Sequence, residues 1–466
     1  MHPSVYAEKT ATAIEGPLLF LKRTVNVGLN EAVEITGENG RGRLGRIAAL
    51  DQETMVIEVL ESTIGLGLHD IRVRFHGEPL HAPLGPGLLG RIFNGVGQPI
   101  DGGPPIAAAV RRRIDAPAVN PATRDLPHDF IETGISAIDL MNALVRGQKL
   151  PLFSSAGLPH DRIAIDVVQN AKIRRAGEGS FAVVFAGIGI SHDTAESFRR
   201  AMQDWGAIAH TAMYLNLASE PSTQRLLAPR FALTTAEYLA FEEGRHVLVV
   251  MTDMTNYCEA LREVSASHGE IPGRKGYPGY MYSDLASIYE RAGCIKGFKG
   301  TVTQLPILTM PADDISHPVP DLTGYITEGQ VVLDRTLDHK GVYPPINVLP
   351  SLSRLMDQGI GKGFTDADHP ALANQLFASY AKAAKVRVLA SVVGQEGLTE
   401  LDRTYLVFAD RFERSLIHQT KARNLEESFF EAWGLLRLLP QSELTRVSDA
   451  QIGRHSAHSH GTRAHA

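Results

Sequence analysis

One stretch of the sequence has the setting of a phosphate-binding loop. The apolar run 150–153 predicts a strand and residues 162–174 predict an amphipathic helix, so the residues between them join a strand to a helix. In a G-x-x-x-x-G-K-[ST] motif, this junction aims backbone N–H groups and the helix dipole at the phosphates, and the lysine and hydroxyl contact phosphate and Mg²⁺. The setting therefore predicts nucleotide chemistry at this point.

The loop itself lacks every defining residue of that motif. Its candidate residues are Ser154, Ser155, Gly157, Pro159, His160 and Asp161. Ser154 and Pro159 stand at the glycine positions, and proline has no N–H group to offer. His160 replaces the lysine and is mostly neutral at pH 7, while Asp161 places negative charge where a triphosphate would lie. We therefore predict that this degenerate loop binds nucleotide weakly or not at all.

Two further positions bear on hydrolysis. Asp253 ends the apolar run 246–252, as the Mg²⁺-binding aspartate of a Walker B strand does, but an aspartate after a strand also commonly caps the next helix. Ile190 ends another run, where a hydrolytic NTPase would need a carboxylate to position the attacking water. The residues alone leave the role of Asp253 open and argue against hydrolysis by this chain.

A proline-rich segment at residues 343–354 ends in a single arginine, Arg354. The prolines restrict the backbone, which lowers the entropy lost when this arginine is held in one place. Taken alone, Arg354 is better explained as a cap on a carbonyl group or as the partner of a surface carboxylate.

The elements that position these residues predict an α/β protein with several domains. Short alternating runs and glycine-rich turns predict an N-terminal β-barrel at 1–75. Residues 76–360 alternate strands and helices, with strands expected near 149–153, 180–187, 211–217, 246–252 and 302–309, so a mostly parallel sheet is predicted there. Capping patterns at Thr399 and Asn424 predict a C-terminal helical bundle at 361–440. The histidine-containing stretch 441–466 is predicted to be a disordered tail with no metal site.

The composition fits a cytoplasmic protein without a membrane span. Of 466 residues, 44% are hydrophobic and 21% charged, and no apolar run approaches the roughly 18 residues that cross a bilayer. The formal net charge of -6 argues against nucleic-acid binding. Cys258 and Cys294 are too few for a disulfide framework, so we expect both to be buried.

Taken together and in this order, these stretches resemble the nucleotide-binding subunits of rotary ATPases, especially the non-catalytic B subunits of the V-type (vacuolar and archaeal) branch in a prokaryotic form. The resemblance covers residues from about 12 to 440 and rests on 16–19, 89–101, 133–139, 154–160, 271–282 and 344–354. The last of these matches the family signature P-[SAP]-[LIV]-[DNH]-x-x-x-S-x-S. The resemblance implies a β-barrel, a central RecA-like P-loop NTPase domain and a helical C-terminal domain.

The resemblance also implies which residues act and on what. In the catalytic subunits of this family, the loop resembles G-G-A-G-V-G-K-T, and the segment that corresponds to residues 187–191 resembles G-x-G-E-R. This chain therefore lacks both the lysine and the glutamate of those motifs. Arg354 is implied to be an arginine finger that reaches a neighbouring subunit's site, with Ser351 and Ser353 at the same interface nucleotide site. The segment with Arg274, Tyr277, Tyr280 and Tyr282 is implied to face a central shaft. For some of the three tyrosines, aromatic packing in the core stays open as the alternative.

Partners and ligands follow from the same resemblance. Three copies are expected to alternate with three catalytic A subunits around the shaft, with peripheral stalk subunits outside. ATP or ADP with Mg²⁺ is expected to be held mainly by the A subunit, and no cofactor tightly by this chain. The complex would lie on the inner face of the cell membrane, which this chain meets only through the ion-translocating sector. Two alternatives stay open: a self-sufficient hexameric RecA-like NTPase, and a structural ring subunit that binds no nucleotide.

Overall fold

The chain is described here by a computed structural model. The described residues are 5–9, 11–38, 40–69, 71–117, 119–173, 181–204 and 206–457. The chain divides into two compact units, the first made of residues 1–124, 179–309 and 315–326, the second of 125–178, 310–314 and 327–466. The predicted domain boundaries at 75 and 360 stay predictions.

The strands of the described residues are β1 (Val5–Lys9), β2 (Ala11–Glu15), β3 (Leu18–Lys22), β4 (Glu31–Thr36), β5 (Gly42–Leu50), β6 (Thr54–Val59), β7 (Ile71–Pro79), β8 (His81–Leu84), β9 (Ile92–Asn94), β10 (Val110–Arg113), β11 (Arg124–Asp125), β12 (Phe130–Glu132), β13 (Leu144–Val145), β14 (Leu152–Ser155), β15 (Lys172–Ile173), β16 (Phe181–Ile190), β17 (Thr211–Leu217), β18 (His246–Thr252), β19 (Gly293–Ile295), β20 (Thr301–Met310), β21 (Gly329–Leu333) and β22 (Ile346–Ser353).

The α-helices of the same residues are α1 (Ser136–Asp139), α2 (His160–Asn170), α3 (His192–Asp204), α4 (Ser222–Phe241), α5 (Met254–Ser267), α6 (Met281–Tyr289), α7 (Pro318–Ile326), α8 (Arg335–His339), α9 (Met356–Gly359), α10 (His369–Val393), α11 (Glu400–Arg411), α12 (Leu425–Leu436) and α13 (Asp449–Ala457). No helix among the described residues is both long and apolar enough to cross a bilayer.

The first unit begins with a seven-stranded antiparallel sheet in the order β1-β7-β4-β5-β6-β3-β2. Alternate residues of these strands, among them Ile35, Ile57 and Val73, are fully buried in one apolar cluster. Such a pattern arises because successive side chains of a strand point to opposite faces. The apolar alternation in the sequence thus builds a sheet that encloses its own core, as predicted.

The rest of the first unit contains five parallel strands in the order β9-β17-β16-β18-β20. Strands β16 and β18 are apolar almost throughout because both faces of a parallel sheet are covered. Helices α3 to α7 belong to the same unit. The parallel pairing confirms the predicted βαβ arrangement, and the buried Cys258 of α5 and Cys294 of β19 confirm the prediction for the two cysteines.

In the second unit, β14 pairs in parallel with β21, and β21 pairs antiparallel with β22. Neither β21 nor β22 was predicted. Pro350 interrupts the apolar pattern within β22, and Pro344 and Pro345 directly precede that strand. Proline is tolerated there since β22 is the end strand in the sheet order. Within the proline-rich segment, Ile346–Ser353 therefore form a strand rather than only a stiff segment.

The C-terminal part of the second unit is helical, as predicted. Thr399 and Asp402 form a capping box at the start of α11, and Asn424 and Glu427 form another at the start of α12. In each box the two side chains satisfy backbone N–H groups that the first helical turn leaves without partners. A π-helix at Phe412–Ile417 follows α11 directly.

The predicted disorder of the C-terminal stretch is corrected by the structure for residues 441–457 and stays a prediction for 458–466. Residues 449–457 form α13, and Arg454 donates two 2.8 Å hydrogen bonds to the carboxylate of Asp368, which also accepts one from Gln451 at 2.9 Å. His455 stacks on the Trp433 ring at 4.3 Å between centroids. These contacts give the segment fixed partners that its polar composition did not reveal. Residues 458–466, with His458, His460 and His465, lie outside the described residues.

Candidate functional site

Arg354 follows the last residue of β22 and is exposed. Its backbone N–H donates to the carbonyl of Glu328 at 2.9 Å, and its Nη1 donates to the carbonyl of Thr327 at 3.0 Å. Within the part of the chain that the structure describes, no salt bridge to Arg354 is found. The backbone of this arginine is therefore fixed, while no carboxylate of the described residues neutralises its charge.

The two serines before Arg354 are buried and bonded within the chain. The Ser351 hydroxyl donates to the carbonyl of Asn347 at 2.6 Å and accepts from the N–H of Val332 at 2.9 Å. The Ser353 hydroxyl donates to the carbonyl of Ala143 at 2.8 Å. These hydroxyls hold β22 in place, and the place of the two serines at an interface nucleotide site stays a prediction.

The degenerate loop between β14 and α2 forms hydrogen bonds among several of its own polar groups. The Leu158 N–H donates to the Ser155 carbonyl at 3.0 Å, and the His160 N–H donates to the Leu158 carbonyl at 2.9 Å. The His160 ring contacts the Ser154 hydroxyl, Nδ1 to Oγ, at 3.0 Å. Pro159 stands at the N-cap of α2 and gives no side-chain cap. Two N–H groups of a phosphate cradle are thus turned onto the loop's own carbonyls.

Asp161 and Gly157 complete the loop. The Asp161 carboxylate lies 3.7 Å from Nε2 of His160, so the first turn of α2 carries an acid beside the imidazole. Gly157 has φ of +83°, a left-handed conformation that a side chain would strain. The glycine thus preserves the turn of a phosphate loop although the ligating residues are lost.

A second contact on the loop comes from residues that the sequence did not indicate. Arg335 donates to the Ala156 carbonyl at 3.0 Å and pairs with both carboxylate oxygens of Asp313 at 3.0 and 3.1 Å. Hydrogen bonds from the Arg335 guanidinium, and then from Ser155, hold the pKa of the Asp313 carboxyl below its usual range. Asp313 has a left-handed φ of 56°. No sequence signal could reveal this pair, because 22 residues separate its members.

Asp253 caps a helix in the first unit. Its Oδ1 accepts from the N–H of Thr255 at 2.7 Å, at the start of α5, and from the N–H of Thr309 at 3.2 Å. The helix-cap alternative for this residue is thus what the structure shows. Ile190 is buried at the end of β16 and supplies no carboxylate.

The predicted shaft-facing segment divides into buried and exposed residues. Tyr277 is only 3% exposed and its hydroxyl donates to Glu259 at 2.5 Å, so the core-packing alternative left open for the tyrosines describes this residue. Tyr280 and Tyr282 are 41% and 42% exposed. Arg274 is exposed and donates to the Ser316 carbonyl at 3.1 Å. Three of the four residues thus remain available to a partner.

One group of possible metal ligands occurs among the described residues. Oxygen atoms of Asp366 and Asp368 and a ring nitrogen of His455 lie within 4.8 Å of one another. Asp368 already accepts hydrogen bonds from α13, as given above, and these bonds account for the cluster as a helix-docking contact.

Comparisons with known proteins match nearly the whole chain. The β-barrel domain of the ATP synthase alpha/beta family matches residues 11–77, the nucleotide-binding domain of that family matches 134–353, and the C-terminal domain of V and A type ATP synthase matches 358–455. The B subunit of the A-type ATP synthase from Aeropyrum pernix is 53% identical over 449 residues, which cover 96% of this chain and 97% of that protein.

A solved structure agrees with these matches. It is that of a unique ATP synthase subunit, NeqB, from Nanoarcheaum equitans, with a TM-score of 0.72 and 38% sequence identity over 91% of this chain and 100% of that one. The barrel, the nucleotide-binding domain and the helical domain define an ATP synthase component of the alpha/beta class. The chain belongs to the ATP synthase alpha/beta family, and its similarity to the Aeropyrum pernix protein places it in the A- and V-type branch. The predicted fold class and the resemblance are thereby confirmed.

Proposed function

We propose that this chain is the non-catalytic, regulatory B subunit of an A/V-type proton-translocating ATP synthase, and that it supplies Arg354 in trans to a nucleotide held by the catalytic A subunit. The observation that carries the proposal is an exposed arginine on an anchored backbone, in the same chain as a degenerate phosphate loop in which the Leu158 and His160 N–H groups are bonded internally. An arginine finger stabilises the charge on the transferred phosphoryl group and contributes about 10³ to 10⁵ in rate.

The chemistry of the degenerate loop supports a non-catalytic role. An N–H group that already has a carbonyl partner is not offered to a phosphate, and the Leu158 and His160 N–H groups both have one. Asp161 adds negative charge at the helix start, where an anion would otherwise be favoured. ATP or ADP with Mg²⁺ is therefore held mainly by the partner A subunit in this proposal.

The proposed assembly has three copies of this chain alternating with three A subunits. Arg274, Tyr280 and Tyr282 face the central shaft, and peripheral stalk subunits lie outside the ring. The complex lies on the inner face of the cell membrane, and this chain meets the membrane only through the ion-translocating sector. The support for this arrangement is the similarity to the B subunit of an A-type ATP synthase.

The test is ATP hydrolysis by the reconstituted complex with Arg354→Lys. Lysine keeps the charge but loses the planar fork that binds two phosphate oxygens. We expect kcat to fall about 10³-fold or more with little change in KM, because an interaction made only in the transition state affects kcat. The matched control is Arg414→Lys, an arginine of the same unit with a 76% exposed side chain, for which near-normal turnover is expected. Near-normal turnover by a fully assembled Arg354→Lys complex would refute the proposal.

Two measurements on the purified chain separate the alternatives. ATP hydrolysis without any partner would favour a self-sufficient NTPase. Titration with a fluorescent ADP analogue distinguishes a chain that binds nucleotide weakly at its own loop from one that binds none, and the internal bonding of the loop favours the latter.

A further inference from the structure

A buried polar cluster lies directly behind Arg354. Its buried members are Gln148, Lys149 and Ser353, and its fourth member, Glu328, has a side chain 29% exposed; all four lie in the second unit. Gln148 is fully buried, and its Nε2 donates to the Ser353 hydroxyl at 3.0 Å and to the Glu328 carbonyl at 3.1 Å, while its Oε1 accepts from the Val145 N–H at 3.0 Å. One side chain thus connects the last residue of β22 to the segment that precedes β21.

The Glu328 carboxylate is held by a neighbouring lysine. The Lys149 ammonium, with a side chain 5% exposed, lies 2.8 Å from Oε1 of Glu328, and the Lys149 N–H donates to Oε2 at 2.8 Å. The Glu328 N–H donates back to the Lys149 carbonyl at 3.1 Å. Glu328 is therefore fixed through its carboxylate and its backbone, and its carbonyl is the group that accepts from the Arg354 N–H.

Residues 327–329 contact the end of β22 and the adjoining Arg354 at three points. The Thr327 carbonyl accepts from the Arg354 guanidinium, and the Glu328 carbonyl accepts from the Arg354 N–H. Gly329 pairs with Ser353, and a Cβ on this glycine would lie only 2.0 Å from the Leu352 carbonyl. The backbone of this segment is thus packed closely against the residues on either side of Ser353.

We propose that Gln148 and the Lys149–Glu328 pair are positioning residues for Arg354, which set the place and direction of the arginine finger. The inference rests on the proposed function and adds three residues to it. None of the three touches the nucleotide; they act through Ser353 and through the carbonyls of residues 327 and 328.

Physical reasons favour this role over a purely structural one. The Lys149 ammonium loses hydration in this partly buried pair. Replacement of such a pair by apolar residues of similar volume is often neutral for stability, so stability alone gives little reason to keep it. Catalysis across an interface depends on geometry, since a displacement of about 1 Å can reduce a rate about 10²-fold. A rigid support is needed where a single exposed guanidinium must reach a phosphate on another chain.

The test is Gln148→Ala in the assembled complex, with steady-state ATP hydrolysis as the assay. We expect kcat to fall about 10²-fold with KM for ATP unchanged, because the nucleotide is held by the partner chain. The matched control is Gln375→Ala. Gln375 is 2% exposed in the same unit, and its amide also makes three hydrogen bonds, to Ser379, the Glu443 carbonyl and the Arg446 N–H. Normal kcat is expected for this control.

A double variant separates positioning from general destabilisation. If Gln148 acts through Arg354, then Gln148→Ala in an Arg354→Lys background should reduce kcat by less than about threefold, because the geometry that it maintains no longer matters. An equal reduction in both backgrounds, a wild-type kcat for Gln148→Ala, or an equal loss for Gln375→Ala would overturn the positioning role.

A second variant keeps the test decisive where Gln148→Ala does not assemble. Gln148→Glu retains an acceptor for the Val145 N–H but loses both donated hydrogen bonds, so the same loss of kcat is expected. Native mass spectrometry establishes that assembly is complete before the rates are compared. If Arg354→Lys keeps normal turnover, the proposed function fails; if Arg354→Lys is inactive while Gln148→Glu has normal kcat, only the positioning role fails.

Discussion

Acidification should destabilise the second unit through His369, at the start of α10. This residue is fully buried; its Nε2 contacts the Leu140 carbonyl at 3.0 Å and its Nδ1 contacts the Thr365 hydroxyl at 2.9 Å. Burial lowers the pKa of the His369 imidazole from 6.5 to about 4. Below pH 6.5 the unfolded chain therefore binds a proton that the folded chain does not. Stability is lost as the pH falls from 6.5 to about 4, by about 3 kcal/mol in total at about 1.4 kcal/mol per pKa unit.

The assay is urea denaturation between pH 7.5 and pH 4, with His369→Gln as the comparison. Trp433 lies in the second unit, so with Trp205 replaced by phenylalanine its fluorescence reports on that unit. Glutamine does not titrate, so the advantage of the parent chain in unfolding free energy should shrink by about 3 kcal/mol across this range. Parallel stability curves for the two proteins would refute the reasoning. Other carboxylates titrate in both proteins and cancel in the difference.

Two further predictions concern a buried ion pair and the degenerate loop. Glu237→Gln should cost about 3 to 5 kcal/mol of unfolding free energy, because Arg291 is 1% exposed and pairs with Glu237 at 2.6 and 2.8 Å. The double variant Arg291→Met with Glu237→Leu should cost far less, because it leaves no buried charge without a partner. Equal losses for the two variants in urea denaturation would contradict this prediction. His160→Lys alone should not create a nucleotide site, since Asp161 and the internally bonded N–H groups remain; tight binding of a fluorescent ADP analogue would show otherwise.

The part of the fold that the sequence predicted well rests on local patterns. The apolar alternation of β6 gives a half-buried strand, the continuous apolar run of β18 gives a central one, and the Thr399 and Asn424 capping boxes begin helices where expected. Each of these signals lies within a few residues and follows from the period of the element itself. The α13 segment was missed because its partners on Asp368 lie more than 80 positions earlier.

The candidate site likewise combines features that the sequence could indicate with features that only the folded chain reveals. The degenerate loop could be found from the sequence because its residues are adjacent and each substitution has a plain chemical meaning. Ser351, Ser353 and Tyr277 could be found as members of motifs, but the sequence did not show that all three side chains are buried. Arg335 and Asp313 had no sequence signal at all, although together they contact the loop.

The sequence by itself determined the family, the order of the three domains and the loss of the loop lysine and of the carboxylate at Ile190. These depend on residue identity at fixed spacing, which the chain carries whether or not it is folded. Only the tertiary structure decided which polar groups are satisfied and which remain free to act. Gln148 meets Ser353 across 205 positions and Arg335 meets Ala156 across 179. Such hydrogen bonds depend on where folding brings distant segments together, so the fold decides which polar groups remain available to another chain.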